Sequence, residues 1–268
     1  MSADILTLPA APADHRIPYG PDSSQFGDLR LPTGPGPHPV VVYLHGGFWR
    51  ATFSLEHAGH ACSALTRHGL ATWSLEYRRI GQPGGAWPGT FHDVALGADY
   101  VRELASRFPL DHARVIAMGH SAGGHLALWL AARHRVPSGS PLHARDPLAL
   151  AGAVSLAGVC DLRCGSALRL GNGAVDELLG GTPQVVPDRY ASASPAELLP
   201  LGVRQVLVHG TADDRVPYEV SQRYRDAATA TGDDVEIMTV PDAGHFELIN
   251  PRSSVWPVVP RAARMLVG

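Results

Sequence analysis

The segment Ala113-Arg-Val-Ile-Ala-Met-Gly-His-Ser-Ala-Gly-Gly-His-Leu-Ala-Leu-Trp-Leu-Ala-Ala132 decides the fold of this chain. It begins with a short apolar run that is typical of a buried strand and ends with a longer apolar run that predicts a helix. Between them lies Gly-x-Ser-x-Gly, the pattern of a sharp strand-to-helix turn that exposes the serine hydroxyl. Gly119 and Gly123 suit such a turn, because a Cβ at either position would clash with the neighbouring strand or helix. We therefore expect Ser121 to be a nucleophile.

A glycine-rich turn follows a second buried strand, which is predicted over 39–44. This turn is His45-Gly-Gly-Phe-Trp49. Backbone N–H groups in a turn of this kind point at one spot, which is what a developing oxyanion requires. His-Gly-Gly alone is equally compatible with an ordinary tight turn. Its place upstream of the serine turn favours an oxyanion-binding loop.

Acidic residues and a histidine follow two further strands. The strand predicted over 204–210 leads to Asp213 and Asp214, and the strand predicted over 235–240 leads to His245. All three side chains fall at carboxyl ends of strands, the edge at which open α/β sheets bind ligands. Serine, acid and histidine thus occur in the order of a Ser-Asp-His triad on this type of sheet.

These motifs together resemble the α/β-hydrolase superfamily, from about Tyr19 to the C-terminus. His45-Gly-Gly-Phe-Trp49 and the hairpin over 19–29 are similar to the kynurenine formamidase (arylformamidase)-like esterases. The segments over 188–195 and 209–217 resemble the catalytic domains of prolyl-oligopeptidase-type hydrolases. The resemblance implies a small-molecule ester or amide as substrate, since we see no propeller-sized region ahead of these motifs.

The resemblance also implies roles for the site residues. Ser121 would attack the carbonyl, His245 would take and return the proton, and an aspartate would orient His245. The superfamily's usual Gly-x-x-Asp spacing selects Asp213, while Asp214 would be a solvated or helix-capping carboxylate. The implied oxyanion donors are the backbone N–H groups of Gly47, Phe48 and Ala122. His45 and His120 would either orient these loops or merely fill space beside the glycines.

The basic residues and cysteines exclude several other chemistries. All 22 basic residues are arginine, so a Schiff base, a Walker-type phosphate site and a Ser-Lys dyad are unavailable. The three cysteines, Cys62, Cys160 and Cys164, are too few and wrongly spaced for structural zinc, and we interpret them as ordinary thiols. None of the 14 histidines forms His-Glu-x-x-His. We expect neither a metal nor a cofactor.

Composition indicates a globular protein of 268 residues, with 45% hydrophobic residues, 18% charged residues and a formal net charge of −3. Such a charge offers no basic field for nucleic acid. No apolar run approaches the length of a membrane helix, and the N-terminus lacks the features of a signal peptide. We expect a cytoplasmic protein without a nucleic-acid or membrane partner, and the sequence leaves a homodimer open.

Alternating strands and helices predict an α/β-hydrolase fold: a doubly wound, mostly parallel sheet in one domain over 1–268. Residues 1–18 read as a loosely ordered lead-in. Residues 158–200 would form a small cap or lid that shapes the pocket, with Trp49, Trp87 and Phe246 as candidate wall aromatics. The predicted function is hydrolysis of carboxylic esters with small to medium acyl groups. The alternatives are an arylformamidase-type amide hydrolase and a non-catalytic small-ligand-binding protein of the same fold.

Overall fold

The computed structural model describes residues 3–268. Its strands are β1 His15–Pro18, β2 Phe26–Arg30, β3 His38–Leu44, β4 Ala71–Leu75, β5 Leu110–His120, β6 Gly152–Leu156, β7 Arg204–Gly210 and β8 Val235–Val240. They form a single sheet in the order β1-β2-β4-β3-β5-β6-β7-β8. β2 pairs antiparallel with β1 and with β4, and the other neighbours are parallel. The predicted mostly parallel sheet is confirmed.

Nine α-helices connect or flank these strands within the described residues. They are α1 Gly59–Thr66, α2 Gly89–Asp99, α3 Val101–Arg107, α4 Ala122–Ala132, α5 Leu162–Ala167, α6 Leu170–Leu179, α7 Pro187–Ala193, α8 Tyr218–Ala230 and α9 Val258–Val267. Short 3₁₀ turns lie at Ala3–Leu6, Leu55–Ala58, Arg133–Arg135, Pro195–Glu197 and Glu247–Ile249. Of the helices within residues 3–268, none combines the length and the apolar character needed to cross a membrane.

The sheet separates two hydrophobic cores, and strand β3 shows why. Val40 and Val42 pack into one core, whereas Val41 and Tyr43 pack into the other. Successive side chains of a strand point to opposite faces, so a strand covered by helices on both faces must be apolar throughout. This explains the continuous β-branched run in the sequence.

The N-terminal segment, defined here as residues 3–13, differs from the predicted loose lead-in. Ile5 is only 2% exposed. The Nε2 atom of His60 lies 3.1 Å from the carbonyl oxygen of Leu8. Farther along the segment, the Arg30 guanidinium donates to the carbonyl oxygen of Ala11 at 3.1 Å. The prediction was wrong for the described part of 1–18, and Met1 and Ser2 lie outside the described residues. These anchors come from distant segments, which leave no local pattern in the sequence.

Residues 158–200 carry α5, α6 and α7 between β6 and β7. This segment packs against α4, where the Trp129 indole N–H donates to the carbonyl oxygen of Ser192 at 3.1 Å. The His125 ring donates to the neighbouring carbonyl oxygen of Ala193 at 2.9 Å. That this segment is a cap inside one domain, and that it moves, stay predictions.

Candidate active site

Ser121 occupies the turn between β5 and α4 in a backbone conformation that residues other than glycine rarely adopt. Its backbone angles are φ 57° and ψ −120°, and it is 3% exposed. The Ser121 N–H donates to the carbonyl oxygen of Leu156 on β6 at 2.8 Å, which holds the turn to the sheet. Strain of this kind persists only where the surroundings fix it, and it occurs often at functional sites.

Two glycines make the tight turn possible. A Cβ at Gly119 would overlap the carbonyl oxygen of Gly123, and a Cβ at Gly123 would overlap that of Leu44 at the end of β3. The clashes predicted for a Cβ at Gly119 and Gly123 are therefore confirmed. Close contact between α4 and β3 brings Ser121 beside the loop that leaves β3.

Asp213, rather than Asp214, contacts His245. The Nδ1 atom of His245 lies 2.7 Å from Oδ2 of Asp213, and the Asp213 side chain is fully buried. The backbone N–H groups of Arg215 and Val216 donate to its Oδ1 at 2.8 and 2.9 Å. The Asp214 side chain is 73% exposed, and its Oδ1 lies 3.5 Å from the Arg215 guanidinium. A carboxylate accepting at Nδ1 leaves Nε2 of His245 available to take a proton.

His209 is a second histidine on Asp213 to which sequence reasoning assigned no role. Its Nε2 lies 3.3 Å from Oδ2 of Asp213 and 2.9 Å from the carbonyl oxygen of Val216. Because both neighbours can only accept, Nε2 carries the proton, and Nδ1 faces the Ser221 hydroxyl at 2.7 Å. The only signal in the sequence was a histidine at the end of β7, four residues before the aspartate.

Hydrogen bonds keep Asp213 ionised despite its burial. Burial acts to raise the pKa of this carboxyl, but hydrogen bonds from His209 and His245 outweigh it and hold the pKa far below the usual range. A fixed negative charge at this position favours the charged form of His245 when that ring accepts a proton. The local electrostatics thus suit proton transfer to His245.

The loop after β3 has three consecutive residues with positive φ. The angles are 112° at Gly47, 51° at Phe48 and 56° at Trp49. Successive N–H groups in turns of this kind form concavities that bind anions. Ala122 is the first residue of α4, so its N–H has no acceptor within the helix. The three sequence-predicted donors thus lie in the loop after β3 and at the start of α4, and these two segments meet at Ser121.

Buried polar groups support this loop from behind. His45 Nε2 lies 3.0 Å from Oε1 of Glu76, and the Tyr77 hydroxyl donates to the His45 carbonyl oxygen at 2.8 Å. Burial acts to raise the pKa of Glu76, but the His45 contact and the Arg79 charge lower it below its usual value. Of the two roles considered for His45, these bonds favour orientation of the loop. Glu76 itself was missed, because only the fold brings it to His45.

His120 supports the other side of the site. Its Nε2 donates to the carbonyl oxygen of His245 at 2.9 Å. Burial is the main cause, and the nearby His245 the second, of a pKa of His120 well below its ordinary value. This ring therefore stays neutral. Hydrogen bonding again favours an orienting role over mere filling of space.

Ser121 and His245 face one cavity of about 260 Å³. The other lining residues are Leu6, Gly47, Phe48, Phe53, His57, His120, Arg215 and Phe246. Of the predicted wall aromatics, Phe246 is correct, whereas Trp49 is fully buried beside His125 and Trp87 lies elsewhere. None of the described residues 158–200 lines this cavity. That this segment shapes the pocket stays a prediction. Gly171 of this segment packs against the ring of Phe48, which lines the cavity.

No group of three or more metal-ligating side chains occurs within the described part of the chain. Cys62 and Cys160 are buried free thiols and Cys164 is partly exposed. Burial raises the pKa of Cys62 to about 11 and that of Cys160 to about 12. These thiols are therefore poor nucleophiles at neutral pH.

Comparison with known proteins agrees with the geometry. The family model described as BD-FAE matches residues 28–227. Esterase LipC of Mycobacterium tuberculosis is 26% identical over 247 residues, covering 88% of this chain and 60% of LipC. Kynurenine formamidase of Danio rerio is 29% identical over 115 residues, covering 41% of this chain and 36% of that enzyme. This chain thus spans 60% of the length of LipC and 36% of that of the kynurenine formamidase.

A solved structure shares the fold over nearly its whole length. It is a truncated form of a carbohydrate esterase from gut microbiota, with a TM-score of 0.81 and 20% identity, covering 96% of this chain and 99% of that one. The predicted α/β-hydrolase fold and the resemblance to its serine hydrolases are confirmed.

Proposed function

This chain belongs to the BD-FAE family, and from that premise we propose that it is a serine esterase acting on carboxylic esters with small to medium acyl groups. The observation that carries the proposal is the placement of Ser121 and His245 in the wall of one cavity, with His245 bonded to the buried Asp213. Ester hydrolysis by this arrangement needs no metal or cofactor, and its partner is a small-molecule substrate.

The proposed reaction begins when Ser121 Oγ attacks the ester carbonyl carbon and passes its proton to His245 Nε2. The carbonyl oxygen becomes an oxyanion, which accepts hydrogen bonds from the backbone N–H groups of Gly47, Phe48 and Ala122. The intermediate then collapses, and His245 returns the proton to the departing alcohol.

Water completes the cycle by the same steps. His245 accepts a proton from water as the water oxygen attacks the acyl carbon, and Ser121 leaves with that proton. Asp213 stays ionised and stabilises the charged His245 ring in both halves.

An organophosphate titration tests the proposal. Paraoxon should label the protein with a stoichiometry of one and release one equivalent of p-nitrophenol, and peptide mass spectrometry should place the adduct on Ser121. Ser121→Ala should fold normally by circular dichroism and lose at least about 10³-fold in kcat on p-nitrophenyl acetate. Ser155→Ala, at a buried serine on the neighbouring strand β6, is the matched control. An adduct on another residue, or an active Ser121→Ala, contradicts the proposal.

A formamidase is the second candidate, and the likeness to kynurenine formamidase favours it. The same nucleophile and base would serve, but the leaving group would be an aromatic amine that must be protonated. Comparing kcat/KM for N-formylkynurenine with that for the best p-nitrophenyl ester separates the two. A tenfold preference for the formamide, about 1.4 kcal/mol in transition-state energy, would select the formamidase.

A further inference from the structure

A second cavity of about 590 Å³ adjoins the catalytic one. It lies under the N-terminal segment, which contributes Leu6 and residues 7–13 to its lining. The linings of the two cavities share Leu6 and His57. These two side chains therefore form a wall between the cavities, called the Leu6–His57 wall below.

The two cavities differ in chemistry. On the catalytic side, Phe48, Phe53 and Phe246 make an apolar surface. On the other side, four charged side chains line the larger cavity: Arg16, Asp28, Arg30 and Glu56. Most of the remaining lining of the larger cavity is apolar, including Leu8, Pro9 and Leu55, so a longer apolar group that passed the wall would meet apolar surface there too.

Contacts on both sides of Leu6 along the chain hold it in place. Ile5, the preceding residue, is 2% exposed. The Leu8 carbonyl oxygen lies 3.1 Å from His60 Nε2. Arg30 fixes the same segment farther along by donating to the Ala11 carbonyl oxygen at 3.1 Å. Leu6 is thus presented to the cavity by an anchored backbone.

His57 completes the wall as a neutral ring. Burial, followed by repulsion from His45, lowers its pKa to about 3. The ring stands edge-on to Phe53, with centroids 6.1 Å apart. The wall therefore presents an uncharged face to the substrate across the whole range near neutral pH.

We infer that Leu6 is a specificity-determining residue that limits the length of the substrate group lying against the Leu6–His57 wall. This inference rests on the proposed esterase function. Shortening Leu6 would join the catalytic cavity to the larger one and admit a longer group. Enlarging Leu6 would shorten the space beside Ser121.

Two ester series test the inference on the full chain. One varies the acyl group of p-nitrophenyl esters from acetyl to octanoyl, and the other varies the alcohol of acetate esters from ethanol to octanol. In one of the two series, Leu6→Ala should favour the longest ester over the shortest. The kcat/KM of the longest ester divided by that of the shortest should rise about tenfold, which corresponds to about 1.4 kcal/mol in transition-state free energy. In the same series, Leu6→Phe should lower the kcat/KM of the four-carbon ester relative to that of the two-carbon ester. Leu96→Ala, at a leucine of α2 that is 44% exposed, is the matched control and should keep both profiles.

The outcomes separate this inference from the proposed function. Unchanged profiles for Leu6→Ala and Leu6→Phe in both series, with acetyl ester hydrolysis retained, overturn the role of Leu6 and leave the esterase in place. A wild-type protein that neither hydrolyses acetyl esters nor reacts with paraoxon overturns the esterase itself. If Leu6→Ala does not fold, the profile of Leu6→Phe alone decides.

Discussion

At the scale of single residues, the candidate site depends on how Asp213 is held. Its two oxygens accept hydrogen bonds from two histidines and two backbone N–H groups, so both are occupied, and the side chain is buried. Charge-assisted hydrogen bonds of this kind are the strong ones. They fix the orientation of His245. Asp214, which is exposed to solvent, makes no such bonds to a histidine among the described residues and is therefore not equivalent to Asp213.

Asp213→Asn should lower kcat on p-nitrophenyl acetate by about 10⁴-fold, because an amide that donates toward Nδ1 holds His245 in the wrong tautomer. Asp214→Asn is the matched control and should change kcat by less than about twofold, because an exposed ion pair contributes little. Steady-state kinetics on both variants check the assignment. A larger loss from Asp214→Asn would reverse it.

Local patterns in the sequence selected Ser121 and His245, since each follows an apolar strand, and they placed two acids, Asp213 and Asp214, after another strand. The spacing usual in the resembled superfamily then chose Asp213. His209, Glu76 and Leu6 could not be selected in this way. His209 looked like part of a strand, and Glu76 meets His45 only after β3 and β4 pair. Leu6 reaches the cavity through contacts with segments far along the chain. Such residues have no periodicity or motif of their own.

At the scale of elements, the junction of β3, β5 and α4 sets the position of the site. Buried parallel strands are continuous apolar runs, and β7, which is buried, was predicted with its observed bounds. The bounds of β8 were also predicted, although β8 is a half-exposed edge strand. The helices of the segment over 158–200 were harder to predict, because left-handed backbone conformations interrupt the helical pattern there. These conformations occur at Arg169, Gly171, Asn172 and Gly173. Gly119 and Gly123 lie where a Cβ would clash with backbone atoms, as the sequence predicted.

Gly123→Ala should destabilise this junction, because the new Cβ meets the Leu44 carbonyl oxygen and forces α4 away from β3. Overpacking of this kind costs about 1–3 kcal/mol. Urea unfolding should show that loss, with a drop in esterase activity as Ser121 shifts. Gly139→Ala is the matched control, since a Cβ added at Gly139 would meet nothing within 4 Å. Equal stability of the two variants would contradict the steric account.

At the scale of the whole molecule, the fold buries histidines that must remain uncharged. His125 is fully buried on α4, beneath the segment over 158–200, and burial lowers its pKa to about 4. His57 and His120 also have lowered pKa values, for the same principal reason. These rings pack beside the site and between its supporting elements. Protonating any of them therefore opposes the folded state as a whole.

Stability should therefore fall as the pH falls. The unfolded chain binds a proton at His125 below its ordinary pKa of 6.5, whereas the folded protein binds it only near pH 4. Between these values the unfolded state holds more protons, so the free energy of unfolding decreases with decreasing pH, by about 1.4 kcal/mol per pH unit for this histidine. Urea unfolding at pH 7 and pH 5 measures the difference. His125→Gln should reduce that difference by about 2 kcal/mol, whatever it does to the stability at pH 7. His112→Gln, at an exposed histidine, is the control and should keep the wild-type difference. If His125→Gln also kept it, proton binding at His125 would not contribute to the acid sensitivity of this fold.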